Sequence, residues 1–196
     1  MRKWIALICL VSLATAGSAL AQVDPDPDGI GLYYDTAGTE YCRTGVNGSM
    51  SLYLLATNLS EPSGLSGWEA HVTYTVPTGC YETGWTLPAG SLNVSAAPDF
   101  VVGLGEPVPY SPAILLATYG ILVFCTDCIE FLVGPCNTPS IPGVPVYAAG
   151  DDPGLLRPLQ QSSGSPDLPV LNINCDPCTV LGNETSTFGG VKSMYR

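Results

Sequence analysis

The chain is short of positive charge. Six lysines and arginines face 17 aspartates and glutamates in 196 residues, a formal net charge of −11. No basic residue lies between Arg43 and Arg157. Such a surface repels phosphate backbones and anionic lipid, so nucleic acid is excluded as a partner, while cations are attracted. Histidine is scarcer still, with His71 alone. There is no Gly-x-Ser-x-Gly, no His-x-x-x-His and no phosphate loop, and a triad has no basic partner to use. The reading is therefore a non-enzyme. Glycosidases need only two carboxylates, so a secreted hydrolase with an unrecognised pair stays as an alternative, although Glu69, Glu82, Glu106 and Glu130 carry no local sign of pKa tuning. Helix-compatible windows are also lacking, because 22 glycines and 18 prolines recur every few residues and both damage helix interiors. No apolar run reaches the roughly 20 residues that a membrane-spanning helix needs, so stable membrane insertion is not expected.

What is present begins with an export signal. Arg2 and Lys3 precede an apolar stretch from Trp4 to Ala14, and Ala19-Leu20-Ala21 fits the small-x-small cleavage rule. Residues 1–21 are read as a signal peptide cut before Gln22, and the mature chain is expected to be secreted or at the cell surface. Residues 22–30 read as an acidic leader, 31–179 as one domain, and 180–196 as a polar tail.

Within the domain the dominant period is two. Trp68 to Val76 alternates apolar and polar side chains without a break, and Met50, Leu52, Leu54 and Ala56 alternate in the same way. Tyr81, Thr83, Trp85 and Leu87 make another candidate face. Continuous apolar runs at Ile114–Cys125 and Ile129–Val133 read as buried strands. Shorter candidates are Leu32–Tyr34, Leu92–Val94, Phe100–Val102, Val144–Tyr147 and Val170–Ile173. Short strands separated by Gly, Pro, Asn and Asp turns predict an all-β fold: a two-layer antiparallel β-sandwich, Ig-like or jelly-roll, stabilised by disulfides. Gln160–Asp167 is expected to be a loop before the last strand.

Cysteine arithmetic supports the disulfides. Of eight cysteines, Cys9 falls in the expected signal peptide, which leaves an odd number and hence a spare thiol. Cys125-Thr126-Asp127-Cys128 and Cys175-Asp176-Pro177-Cys178 are Cys-x-x-Cys units. Three chemistries compete for them: local disulfides closing two turns, a zinc site of four thiolates, or a redox pair. The zinc gap is far longer than in zinc ribbons and a redox pair needs a helix N-terminus, so local disulfides are the reading taken. Cys42 with Cys80 is the third expected bridge, and Cys136 the spare thiol.

Asp24-Pro25-Asp26-Pro27-Asp28-Gly29 places carboxylates at loop positions one, three and five, glycine at six, and Asp35 at twelve. That is the ligand spacing of an EF-hand-type calcium loop, so Asp24, Asp26, Asp28 and Asp35 are candidate calcium ligands. The competing reading is a proline-stiffened leader with no ion; no other cofactor is implied. His71 falls on the polar phase of its strand and is read as solvent-facing. Trp68, Tyr74 and Trp85 sit on apolar phases and belong to the core, whereas Tyr33 and Tyr53 fall on the opposite phases, where an exposed carbohydrate platform would have to be. Asn47, Asn58, Asn93 and Asn183 head N-x-S/T sequons.

A strand from Met50 to Thr57, then Gly67-Trp68-Glu69-Ala70-His71-Val72-Thr73-Tyr74, Cys80, and the apolar pair around Ala117-Thr118-Tyr119-Gly120 follow in an order that resembles the cohesin-like and Ig-like β-sandwich domains of bacterial exported surface proteins. The resemblance spans roughly Gly31 to Asn174 and carries no binding residue across. The ending Phe188 to Arg196 resembles basic-aromatic tails of exported bacterial proteins. The functional expectation is a non-catalytic module for surface structure or protein–protein attachment, its partner another surface protein or a polysaccharide. The alternative is a carbohydrate- or calcium-dependent binding module.

Overall fold

A computed structural model describes residues 24–176. The expected signal peptide, the expected polar tail and Cys178 lie outside them. Thirteen strands and no helix are found among the described residues, in two layers that form a disulfide-stabilised β-sandwich.

Sheet I has the order β12-β1-β3-β8-β5, built from Gln160–Gln161 (β12), Gly29–Tyr33 (β1), Gly48–Thr57 (β3), Ala113–Val123 (β8) and Cys80–Thr86 (β5). Sheet II is branched. Its central strand, Leu65–Thr73 (β4), pairs on one edge with Asp99–Val108 (β7), which carries Ser91–Asn93 (β6). On its other edge β4 pairs first with Val146–Ala149 (β10) and then with Ile129–Gly134 (β9). Leu156–Pro158 (β11) extends β10, while Leu171–Ile173 (β13) and Cys42–Arg43 (β2) extend β9. The expected antiparallel rule holds for most ladders, but β1–β12 and β2–β13 are parallel. Both are two-residue pairings made by segments returning from the other sheet.

The period-two reading locates the core correctly where the strands are regular. Trp68, Ala70 and Val72 point inward from β4 and are at most 2% exposed; Leu52, Leu54 and Ala56 do so from β3. The rule fails at bulges. On β8 the register slips so that Leu54 faces Ala117 and Leu55 faces Leu115. Leu116 is the extra residue. The inward phase therefore changes from Ile114 and Leu116 to Ala117, Tyr119, Ile121 and Val123. The apolar run is an alternating strand with a phase change, and Leu115 is left 36% exposed. A second bulge at Thr83 on β5 turns Cys80 and Trp85 both toward the core. Tyr81, expected on the face of Trp85, is 60% exposed as a result.

One end of the core is aromatic. The Tyr119 ring lies 4.8 Å from that of Trp85 and 5.0 Å from that of Tyr74, and Phe131 stacks on Tyr74 at 5.1 Å. Such pairs contribute about 0.5–1.5 kcal/mol each beyond area burial. Tyr33 is a correction: it is fully buried, not exposed. The segment after β12 covers the outer face of β1, with Ser162 donating its N–H to the Ile30 carbonyl at 2.9 Å. Residues 160–161 are thus an edge strand of sheet I, and Ser162 and Ser163, which follow it, are buried.

The acidic leader is also part of the fold. Asp24 is 3% exposed, β1 begins at Gly29, and the Asp28 N–H donates to the Asn58 carbonyl at 3.0 Å. β1 runs through residue 30.

Both Cys-x-x-Cys units are corrected. Cys80 bonds to Cys125 and Cys128 to Cys175. Cys42 is disulfide-bonded too, but not to Cys80. In a hairpin with Thr126-Asp127 at its tip, Cys125 and Cys128 would face each other. Here β8 ends at Val123 in sheet I and β9 begins at Ile129 in sheet II. The four residues of the unit cross between layers, so each sulfur meets a cysteine on its own side. Cys136 is the free, buried thiol among the described residues.

Candidate functional site

The outer face of sheet II gathers most of the polar chemistry. Alternation on β4 turns Glu69 and His71 outward, and the β4–β7 register sets His71 opposite Asp99. His71 Nδ1 lies 3.1 Å from Asp99 Oδ1, and the imidazole is about a third exposed. Asp99 also accepts from the Ser95 hydroxyl at 2.6 Å and the Asn137 N–H at 2.9 Å. Burial pushes the Asp99 carboxyl up, but the Ser95, Asn137 and His71 hydrogen bonds outweigh it and hold the group below its ordinary range. Asp99 sits between serine and histidine. A Ser-His-Asp relay needs the imidazole in the middle, so this arrangement ties β7 to the segment after β9 instead of moving a proton toward a nucleophile.

Glu69 stands two residues before His71 on the same face. Its carboxylate accepts from the Ser140 N–H at 2.9 Å and the Ser140 hydroxyl at 2.7 Å. Cys136 Sγ lies 3.9 Å from it. Burial pushes the Cys136 thiol up, and the nearby Glu69 and Asp99 charges add to this. The thiolate required for nucleophilic or metal chemistry is disfavoured there. Both described guanidinium groups are committed elsewhere, Arg43 to Glu40 and Arg157 to Glu61. Glu69 has no cationic partner among the described residues.

Beside Glu69 runs an open trough of about 430 Å³. Its floor is made of small residues from three neighbouring strands: Gly67 on β4, Gly103 on β7 and Ala148 on β10. Val94 and Leu156 flank it. A Cβ on Gly67 would come 2.8 Å from the Val102 carbonyl oxygen, so glycine is required where these two strands approach. A Cβ on Gly103 would meet nothing within 4 Å and would project into the trough. Val94 is 73% exposed, and Leu92, next to it on β6, 67%.

The expected calcium loop resolves differently. Asp24 Oδ1 accepts from the Asp26 N–H at 3.0 Å. Asp28 Oδ1 accepts from the Ser60 N–H at 2.7 Å and the Tyr147 hydroxyl at 2.8 Å. Asp35 holds the N–H groups of Ala37 and Thr39 and the Thr39 hydroxyl. The carboxylates of Asp24, Asp28 and Asp35 cap separate stretches of backbone, and no three of the four acids approach one point within ligand reach. Where an EF-hand loop continues into its exiting helix, this chain continues into β1, which spreads the acids apart. The one close group of three potential ligands among the described residues is Cys128, Glu130 and Cys175. Two of these sulfurs are joined to each other and present no thiolate.

Sequence reasoning found His71 and Glu69 but not the partners that define their surroundings. Asp99 opens β7 while Ser95, Asn137 and Ser140 lie on connections, and only the pairing of the strands brings them to His71 and Glu69. Two of the sequons were a usable signal for turns. Asn93 accepts from the Ser95 and Val101 N–H groups, and Asn58 donates to the Asp24 carbonyl at 3.1 Å. Their amides work within the fold. Asn183 lies outside the described residues. No protein-family model matches this chain, and comparison with curated proteins finds no similar sequence.

Proposed function

We propose that the protein is a non-catalytic attachment module, secreted or displayed at the cell surface, that holds a partner protein along the trough on the outer face of sheet II. The disulfides agree with an oxidising, extracytoplasmic setting. The observation that carries the reading is the pairing of an apolar, glycine-floored trough with an uncompensated carboxylate, Glu69, at its side. A floor of two glycines and an alanine lets an extended segment lie close to the sheet. Glu69 favours a lysine or arginine on that segment, and the overall negative charge speeds its approach. A polysaccharide partner is favoured less, because none of the exposed aromatics Tyr81, Tyr110 and Phe124 lines the trough.

The test uses extended peptides with alternating aliphatic and lysine residues, titrated into the isotope-labelled, fully oxidised chain. Amide shifts should concentrate at Gly67, Gly103 and Ala148. Gly103→Tyr, which fills the trough, should abolish binding without lowering thermal stability, and Glu69→Gln should weaken it about five- to tenfold. Shifts elsewhere, or undiminished binding by Gly103→Tyr, would remove the trough from the account.

A further inference from the structure

A second opening has a different chemistry and shares only Trp68 with the trough. Sheet I ends at β5, and the chain crosses between layers twice beside it: residues 87–90 lead from β5 to β6, and residues 109–112 from β7 to β8. Between these crossings the layers part and leave a cleft of about 230 Å³. Its inner wall is core: Leu65, Trp68, Ile114 and Leu116 are each at most 3% exposed. Leu104 and Val108 continue the apolar lining toward the surface. Ala89, Gly90 and Glu106 are exposed at the mouth, and Glu106 is the one charged residue in the lining. Two backbone hydrogen bonds brace that mouth, from the Gly105 N–H to the Gly90 carbonyl at 2.9 Å and from the Ser91 N–H to the Pro88 carbonyl at 3.2 Å. Pro88, Pro109 and Pro112 stiffen the two crossings by fixing their backbone.

We propose that this cleft is a binding site for a single hydrocarbon tail whose head group is neutral or cationic. Apolar walls around an open cleft gain by exchanging water for hydrocarbon. A closed apolar cavity of about 150 Å³ already takes a benzene ring, so this cleft has room for a somewhat longer chain. The head group is left at Glu106, on a protein of net charge −11, where a carboxylate is repelled and an ammonium or hydroxyl is accepted. The tail lies against the Trp68 ring, which reports on its arrival.

The experiment titrates the full oxidised chain with straight-chain primary alcohols of increasing length, followed by calorimetry and tryptophan fluorescence. Affinity should rise about fourfold per methylene and level off once the cleft is full. At equal length an alkylamine should bind at least as well as the alcohol, and the carboxylate at least tenfold more weakly. Ala89→Phe, placed at the exposed mouth, should lower affinity at least tenfold with an unchanged melting temperature. Glu106→Lys should reverse the order of amine and carboxylate, and decides the question if the first variant folds poorly. Absence of saturable binding, affinity independent of chain length, or a Glu106→Lys variant that keeps the original order would overturn the proposal. Gly103→Tyr should leave alcohol binding untouched, so this site and the trough stand or fall separately.

Discussion

Removing the Cys80–Cys125 crosslink with the double substitution Cys80→Ala and Cys125→Ala should cost about 4 kcal/mol. The bond joins residues 45 apart in sequence, and freeing a loop of that size returns roughly that much chain entropy to the unfolded state. The figure depends on the pairing. A bond within Cys125-Thr126-Asp127-Cys128 would close only a few residues, and the same relation gives about 2 kcal/mol. Both half-cystines are also buried, at 5% and 8% exposure, so losing their sulfurs adds a packing cost to the entropic one. Replacing both prevents a lone thiol from exchanging with Cys136. The assay is thermal unfolding at neutral pH with the other bridges intact, together with mass mapping of non-reduced peptides. For a chain of this size about 4 kcal/mol is a fall in Tm of about 8–16 °C. A fall below about 4 °C, or a recovered peptide linking Cys125 to Cys128, would refute the reasoning. The Cys128–Cys175 bridge closes a consecutive loop of separation 47, so its removal should cost a similar amount.

Alkaline unfolding should be steep. Burial, more than any other cause, pushes the hydroxyls of Tyr33, Tyr34 and Tyr119 upward and that of Tyr147 up to about 12. A raised folded pKa means that stability is intact below the unfolded value of about 10 and is lost as pH rises through the folded values. The buried hydroxyls of Tyr33, Tyr34, Tyr119 and Tyr147 should therefore ionise only together with unfolding above about pH 10, and titration of these four while the near-ultraviolet dichroism stays native would count against it. Asp99→Asn should cost about 1–3 kcal/mol at neutral pH, because the carboxylate accepts three hydrogen bonds. Asp99 has a depressed folded pKa. Its charge-dependent stabilisation is present above the unfolded value of about 3.9 and disappears as pH falls through the folded one, so the gap between variant and wild type should narrow under acid. A gap that stays constant from neutral pH to strong acid would show that the carboxylate charge is not what stabilises this corner.

Which side chains reach the core was legible wherever strands are regular. The run Trp68 to Val72 and the alternation of Met50 to Ala56 follow from a backbone whose successive side chains point to opposite faces, a local property that needs no partner. At Leu116 and Thr83 it was not legible. A bulge is decided by how two strands fit each other, and one extra residue inverts every face beyond it. Disulfide chemistry was legible from the count and spacing of cysteines, and connectivity was not, since it depends on which sheet each half of a Cys-x-x-Cys unit enters.

The candidate sites divide along the same line. His71 and Glu69 could be assigned to one polar face from alternation alone. That Asp99 stands opposite His71, that Ser140 holds Glu69, and that Gly67, Gly103 and Ala148 line up as a floor all depend on the registers of β4 with β7 and β10. The acidic spacing from Asp24 to Asp35 shows the limit from the other side. Spacing along a chain becomes a ligand sphere only when the backbone curls around a point, and this backbone runs out into a strand. The amino-acid order determined an oxidised, acidic, all-β chain by composition and period, which are properties of neighbours in sequence. Tertiary structure decided which loops the sulfurs close and where the two layers stay open, because those are properties of residues that meet only after the strands have paired.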